Sequence, residues 1–283
     1  MLKTVDFLGE PVTRLIIGDN PINGHTYIPK LISRDDMLRY YTEEKVLEAM
    51  EESIRYGCNT WLPLGNDFML RAVYHHQATV EKPLHFIFQS YAPIEFATNL
   101  RMMAEANPLG IYHRGTDTDE LCEAGRSDVV CERIRMIKDL GIKAGLGTHV
   151  PGTILRAEEE DWGCDFYVAC LHNTRRAEDA APSSFISGKP KEIIFRMEDR
   201  KQMFSVIQSI DKPCIAFKVF AGGQIFSQVP QEKWPEMAET ALRETYEQLK
   251  PIDIACVGVF QRDKNQLREN ITLAENILGT DRG

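Results

Sequence analysis

Short apolar runs alternate with amphipathic segments along the chain, and this pattern predicts alternating β-strands and α-helices. Residues 126–140, for example, place their apolar positions on one face of a helix. The apolar runs themselves are nearly continuous, which is typical of strands buried on both faces of a sheet. Eight such runs have strand-like length and residue types, and they centre on Ile16, Trp61, Ile87, Ile111, Ala144, Tyr167, Ala216 and Val257.

The fold class that this alternation predicts is an α/β, (β/α)8 TIM barrel formed by residues 1–283 as one domain. Residues 3–8 and 12–17 flank a Gly-Glu-Pro turn and predict a β-hairpin at the N-terminus. A doubly wound open sheet is the alternative architecture. Residues 173–192 form the longest irregular segment, and a loop of this length is usually functional or mobile.

The composition of the chain limits the classes of binding partner that are expected. The net charge is -9 and no block of basic residues occurs, so neither nucleic acid nor an anionic membrane is an expected partner. No apolar stretch approaches the length of a membrane span, and the N-terminus lacks a signal-peptide core. The 7 cysteines include no CxxC pair, which favours free thiols and a cytoplasmic location. A small-molecule substrate is expected, and the sequence leaves a homo-oligomer open.

Three histidines follow three consecutive predicted strands within a residue or two: His113, His149 and His172. Parallel strands bring such positions to one edge of a sheet, where α/β folds carry their chemistry. Converging neutral imidazoles predict a site for zinc, manganese or iron. The alternative is that they hydrogen-bond a substrate directly. Asp117 or Asp119 could fix the tautomer of His113, or both could be solvated turn residues.

Two further residues join His113 in the predicted catalytic set. Asp19 follows the first strand together with Asn20 and His25, and this loop could supply a base or form Asx-turns. Lys218 lies in the seventh strand, where a lysine is costly to bury unless it is paired. It could form a Schiff base, act as a base, hold a substrate anion, or pair with a carboxylate.

A cofactor-binding set is predicted after the last two strands. Gly222 and Gly223 follow the seventh strand, and Arg262 and Lys264 follow the eighth. Many barrels bind phosphate at this place, and glycines allow a close approach to the backbone. A Gly-Gly pair alone is a weak signal, so these four residues are candidates only by their position.

Several segments resemble the aldo-keto reductase family. Residues 12–18 resemble its first strand, and residues 49–60 resemble the helix and turn that lead into its second strand. Residues 141–147 are similar to its fifth-strand segment, and residues 265–270 to the loop and helix that hold the adenosine end of its nicotinamide cofactor. The resemblance implies a barrel whose bottom is closed by the N-terminal hairpin, and it makes NADP the alternative to a metal as cofactor.

The catalytic positions of that family are mostly replaced. The family has an aspartate and then a tyrosine after strand two, where residues 60–66 contain no tyrosine. Gln89 stands where the strand-three lysine is expected, and only the strand-four histidine matches, at His113. A tyrosine supported by a lysine supplies the proton in carbonyl reduction. The resemblance therefore implies fold more than function.

The expected function is that of a barrel enzyme acting on a small polar substrate with a carbonyl or sugar-like group, without redox change. The reaction would be of the lyase, isomerase or hydrolase type, at a histidine-lined site that could hold a metal. One alternative is an NAD(P)H-dependent oxidoreductase, similar to the aldo-keto reductases, that has replaced its proton donor. Another is a catalytically inactive barrel that serves as a binding module.

Overall fold

The computed structural model describes residues 2–175, 193–227 and 229–279. Most of the predicted long loop, residues 176–192, lies outside this range. A two-stranded antiparallel hairpin comes first, with strands β1 (Thr4–Phe7) and β2 (Glu10–Thr13). No helix in the described part of the chain is both long and apolar enough to cross a membrane.

The predicted (β/α)8 barrel is confirmed. In the described ranges eight parallel strands close into a barrel, and neighbours in the sequence are neighbours in the sheet. The last strand pairs with the first, which completes the closure. The strands are β3 (Leu15–Gly18), β4 (Thr60–Leu62), β5 (His85–Gln89), β6 (Gly110–His113), β7 (Lys143–Thr148), β8 (Phe166–Cys170), β9 (Cys214–Phe217) and β10 (Ile254–Gly258).

Amphipathic helices cover the outside of the barrel. Thr42 starts the second helix by accepting a hydrogen bond from the amide of Lys45 at 3.3 Å. The helices are α1 (Arg34–Tyr40), α2 (Glu43–Arg55), α3 (Asp67–Thr79), α4 (Phe96–Ala104), α5 (Gly115–Glu123), α6 (Ser127–Asp139), α7 (Pro151–Glu159), α8 (Asp199–Ser209), α9 (Trp234–Gln248) and α10 (Gln266–Leu278). Two 3-10 helices, Ala221–Phe226 and Gln231–Lys233, connect β9 to α9.

The hairpin packs against the amino ends of the barrel strands. Phe7 is buried, and its ring meets that of Phe166 edge to face with centroids 5.3 Å apart. The predicted run 12–17 is divided, because the chain turns between β2 and β3 at Arg14. The Arg14 guanidinium donates to the carbonyls of Lys250 at 3.0 Å and Asp253 at 3.3 Å. The hairpin and the first barrel strand are therefore separate elements.

Side chains alternate along each barrel strand between the interior and the helical layer. In β6, Tyr112 belongs to the cluster inside the barrel, whereas Ile111 packs with the outer layer. This alternation decides which strand-end residues reach the mouth. The interior cluster includes Ile16, Leu62, Ile87, Tyr112, Phe166, Val168, Ile215, Ile254 and Cys256.

Candidate functional site

A groove of about 1800 Å³ opens at the carboxyl ends of the barrel strands. It continues outward between Ala221–Phe226 and α9 on one side and α10 on the other. The inner end of the groove lies over the barrel, and the outer arm lies between the helices. The inner side chains that can carry chemistry include Asp19, His25, Gln89, Tyr112, Arg114, His149, Lys218 and Cys256.

His149 forms a dyad with a buried carboxylate. It follows β7, and its Nδ1 lies 2.7 Å from Oδ2 of Asp119. Thr148 donates its hydroxyl to Oδ1 of the same carboxylate at 2.5 Å, and the His149 amide approaches Oδ2 at 3.2 Å. The Asp119 side chain is fully buried, while 12% of the His149 side chain is exposed, in the groove. Asp119 therefore holds His149, and not His113 as one reading of the sequence suggested.

The dyad fixes the tautomer of His149. A carboxylate only accepts hydrogen bonds, so Nδ1 carries the proton and donates it to Asp119. The lone pair is then on Nε2, which has no hydrogen-bond partner among the residues that the structure describes. The ring is positioned by Phe217 of β9, with centroids 5.7 Å apart. His149 is thus prepared to accept a proton from a molecule in the groove.

Asp19 is a buried carboxyl group at the inner end of the groove, as its predicted catalytic role requires. Its Oδ2 accepts hydrogen bonds from the Leu64 amide and the Asn23 side chain, both at 2.7 Å. Burial raises the pKa of Asp19 to about 6, although these hydrogen bonds oppose the shift. Near neutral pH this group can therefore both accept and donate a proton. The neighbouring Tyr112 phenol has its pKa raised well above the usual value by burial.

His113 faces away from the groove, which corrects its predicted role as a catalytic residue and metal ligand. Because side chains alternate along β6, Tyr112 points inward and His113 points to the helices. Its Nδ1 lies 2.7 Å from the Thr118 hydroxyl, and its Nε2 accepts a hydrogen bond from Arg133 at 3.0 Å. The ring also packs on Phe96 of α4, at a centroid distance of 5.9 Å. Both ring nitrogens are thus already used.

Burial, followed by the charge of Arg133, lowers the pKa of His113 to about 3. An unfolded histidine has a pKa of about 6.5, so below this pH the unfolded state binds the extra proton and the folded state does not. We expect the unfolding free energy to fall as pH decreases from about 6.5 to about 4, by up to about 1.4 kcal/mol per pH unit from this residue. Urea unfolding of His113→Gln should show a shallower pH dependence than wild type. An unchanged slope would contradict the assignment, and exposed His75→Gln is the control.

His172 also lies outside the groove lining. Its Nδ1 donates to the carbonyl of Arg196 at 2.9 Å, and its ring packs on Phe195 at 5.2 Å between centroids. Burial lowers the pKa of His172 to about 4. Among the described residues, no group of three or more His, Cys, Asp or Glu side chains is placed to hold a metal. The predicted cluster of His113, His149 and His172 is therefore not assembled, and the residues do not fit the expected zinc, manganese or iron site.

Gly222 and Gly223 line the groove, but their close approach is to side chains of the chain itself. Both have positive φ, 59° and 92°. A Cβ atom on Gly222 would lie 2.5 Å from the Tyr27 ring, and one on Gly223 would lie 3.0 Å from Ile28. The amides of Ala221 and Gly223 donate to backbone carbonyls within the same turn, each at 2.8 Å. The pair therefore packs the loop that follows β3, and those two amides are not free for the predicted phosphate.

The two basic residues of the predicted cofactor set differ in position. Arg262 is paired with Asp36 at 3.1 Å and Asp263 at 2.9 Å, and it is not part of the groove lining. Lys264 does line the outer arm, where it pairs with Glu269 at 2.5 Å. The charged side chains that line this arm are Glu236, Glu239, Asp263, Lys264, Arg268 and Glu269, so acidic groups predominate.

Comparison with known proteins supports the fold. No protein-family description and no curated protein matches the sequence. A proposed aldo-keto reductase from Pseudomonas aeruginosa has a TM-score of 0.59 at 14% identity, over 97% of this chain and 94% of that chain. An aldo-keto reductase from Bacillus halodurans, solved in its holo form, has a TM-score of 0.59 at 11% identity, over 97% and 90%.

A third structure shows how broad this likeness is. The dihydropteroate synthase from Xanthomonas albilineans has a TM-score of 0.52 at 11% identity, over 99% of both chains. The chain thus has the barrel fold of aldo-keto reductases, as the sequence resemblance implied, and it shares that fold with an enzyme of another class. Barrels with different reactions have this backbone, so the function must be argued from the side chains of the groove.

Proposed function

We propose that this protein is an enzyme that removes a proton from the carbon next to a carbonyl group in a small polar substrate, without net redox change. This is chemistry of the lyase or isomerase type. His149 is the base, Asp119 orients it, and Asp19 is the second proton-transfer group. The observation that carries the proposal is the His149–Asp119 dyad, because His149 lines the groove and its Nε2 has no hydrogen-bond partner among the described residues.

The chemistry follows from the charges of these groups. Nε2 of His149 takes the proton from the substrate carbon, and the electron pair of the C–H bond becomes the new C=C bond. The carbonyl π electrons move to oxygen, which takes a proton from the Asp19 carboxyl group. A carboxyl with its pKa near 6 is a better donor at neutral pH than an ordinary aspartate, which is almost wholly ionised. The resulting enol is then protonated on carbon or loses a neighbouring group.

Deuterium exchange tests the proton-removal step by itself, whichever product the complete reaction forms. We expect the wild-type protein in D₂O to exchange the hydrogens next to the carbonyl in at least one member of a small panel. The panel contains hydroxyacetone, dihydroxyacetone, pyruvate and 2-oxobutyrate, and proton NMR follows the loss of signal. If no member exchanges faster than in buffer with heat-denatured protein, the proposal fails.

The groove gives one reason to consider a second function, the NAD(P)H-dependent reductase. Small-ligand sites usually occupy about 300–1000 Å³, and this groove of about 1800 Å³ is larger. Asn265, Gln266 and Arg268 line its outer arm, in the segment that resembles the adenosine-binding part of aldo-keto reductases. A dinucleotide, if bound there, would supply hydride chemistry.

Two features make the reductase the weaker candidate. The tyrosine that donates the proton in aldo-keto reductases has no counterpart in residues 60–66, and burial raises the pKa of the Tyr112 phenol in the groove well above the usual value. Gln89 also lines the groove where the supporting lysine of the family is expected. Titration with NADPH, followed by its fluorescence, separates the two functions. Tight binding together with oxidation of NADPH by simple aldehydes would replace the proposal above with the reductase.

A further inference from the structure

Lys218 is a cation enclosed by aromatic rings at the inner end of the groove. It lies directly after β9 with a left-handed backbone conformation, φ 63°. Its Nζ lies 3.6 Å from the centroid of the Tyr27 ring, 5.2 Å from that of Phe195 and 5.9 Å from that of Phe217. Within the described ranges, Nζ forms no ion pair with a carboxylate. A lysine in a groove without an acidic partner is uncommon, because burying such a charge is costly.

The enclosure is built by several packed segments. The rings of Tyr27 and Phe195 meet edge to face, with centroids 5.1 Å apart. Tyr27 can occupy its place because Gly222 has no side chain. Gln224 donates from Nε2 to the carbonyls of Ile193 at 2.7 Å and Tyr27 at 3.3 Å, which ties both aromatic segments to the loop after β9. The position of the ammonium group is therefore fixed by the fold.

Other cations lie near this ammonium group. The pKa of His25 is lowered to about 4 by burial and then by the charges of Lys218, Arg114 and Arg34. The charges of Lys218, Arg114 and Arg34 thus act together on this side of the groove. Arg114 also lines the groove, with Asp117 at 3.4 Å as its partner. The field favours a ligand group with negative charge.

We infer that Lys218 binds the carboxylate of the substrate, so that the substrate is a small oxo acid or hydroxy acid. The part of this inference that concerns the reacting carbon, at His149, rests on the proposed function. Phe217 links the two sites, because it contacts the Lys218 ammonium group and packs on the His149 ring. The two side chains are thus neighbours of one ring, and we expect the carbons of a substrate held at Lys218 to extend toward His149.

A carboxylate fits this site better than a phosphate. Phosphate sites in barrels and at helix ends use several backbone amides. Here the amides of Ala221 and Gly223 are already bonded to backbone carbonyls. One ammonium group with its remaining face open matches a carboxylate, which carries a single charge.

The aromatic rings around Lys218 also bear on which role it can have. Cation–π contacts stabilise the charged ammonium group and not the neutral amine. A Schiff base would need the neutral amine as nucleophile. Of the roles that the sequence left open for Lys218, holding an anion is therefore the one that the rings support.

The test compares three probes by ligand-observed NMR titration: pyruvate, inorganic phosphate and the neutral ketone hydroxyacetone. We expect Lys218→Met to weaken pyruvate binding roughly 10- to 100-fold, the usual effect of losing one charge-assisted contact. Lys218→Arg should retain part of the affinity. Hydroxyacetone binding should be unchanged in Lys218→Met, which also shows that the variant is folded. Lys45→Met, which removes an exposed lysine paired with Glu48 on α2, is the matched control.

Three outcomes overturn the inference. Equal pyruvate affinity in wild type and Lys218→Met removes Lys218 from binding. Tighter binding of phosphate than of pyruvate makes this a phosphate site. A covalent adduct of pyruvate on Lys218 after borohydride treatment, found by mass spectrometry, makes it a Schiff-base lysine. If pyruvate binding depends on Lys218 but no deuterium exchange occurs, the carboxylate site stands and only the proposed function fails.

Discussion

Replacing His149 by glutamine is expected to lower the rate of deuterium exchange roughly 100- to 10 000-fold, the usual contribution of a positioned general base. Glutamine can keep the hydrogen bond to Asp119 but has no basic nitrogen to face the groove. The rate is measured by proton NMR on the panel compound that wild type exchanges fastest. His75→Gln, on the exposed side of α3, is the matched control and should retain the wild-type rate.

A substitution of Asp119 tests the same role of His149 without removing the histidine. Asp119→Asn can offer an amide hydrogen to Nδ1 of His149, which moves the ring proton to Nε2 and removes the lone pair from the groove. The loss of exchange should then approach that of His149→Gln, although His149 is still present. Full activity in both variants would show that another group is the base.

Replacing Arg200 by methionine is expected to lower the unfolding free energy by about 2–4 kcal/mol, because several hydrogen bonds from one buried charged group are lost together. Arg200 is fully buried, and it donates to the carbonyls of Val219 at 2.8 Å and Ala241 at 3.1 Å and to the Thr245 hydroxyl at 2.9 Å. It also pairs with Glu244 at 3.0 Å. Methionine removes the donor to the Val219 carbonyl and to the Thr245 hydroxyl, whereas the Ala241 carbonyl still accepts a hydrogen bond from the Thr245 hydroxyl at 2.7 Å.

Urea unfolding measures this loss. Arg243→Met on α9, the helix that carries Glu244, removes an exposed pair with Glu239 and should cost less than about 1 kcal/mol. The Val219 carbonyl follows Lys218 in the chain, so Arg200 also supports the loop that positions the ammonium group. A loss in Arg200→Met no larger than that of the control would contradict the structural role given to Arg200.

The barrel was predictable because its strands are short apolar runs separated by amphipathic helices. The direction in which each strand side chain points was not predictable. β6 is buried on both faces, so its sequence carries no polar–apolar alternation to show that Tyr112 points inward and His113 outward. The sequence showed only that His113 stands at the end of a predicted strand. The same holds for His149, which does line the groove. Of the three histidines predicted from strand-end positions, only His149 lines the groove.

The partners of the site residues were harder to predict. Asp119 lies on α5, a helix with few apolar residues that was not predicted, and it meets His149 from 30 residues away. Tyr27 and Phe195 lie in irregular segments, and their contact with Lys218 depends on how two distant loops pack. Asp19 and Lys218, which both line the groove, were candidates because a charged residue at the end of an apolar run is conspicuous. Local sequence contains no signal for such long-range contacts.

The most direct test of the central claim is the stereochemistry of exchange. A single base fixed by Asp119 approaches its substrate from one side, so wild type in D₂O should replace only one of the two hydrogens on carbon 3 of 2-oxobutyrate. Proton and deuterium NMR of the product then show one deuterium in one configuration, and His149→Gln shows almost none. Replacement of both hydrogens at equal rates, at the same speed in wild type and His149→Gln, would contradict the account.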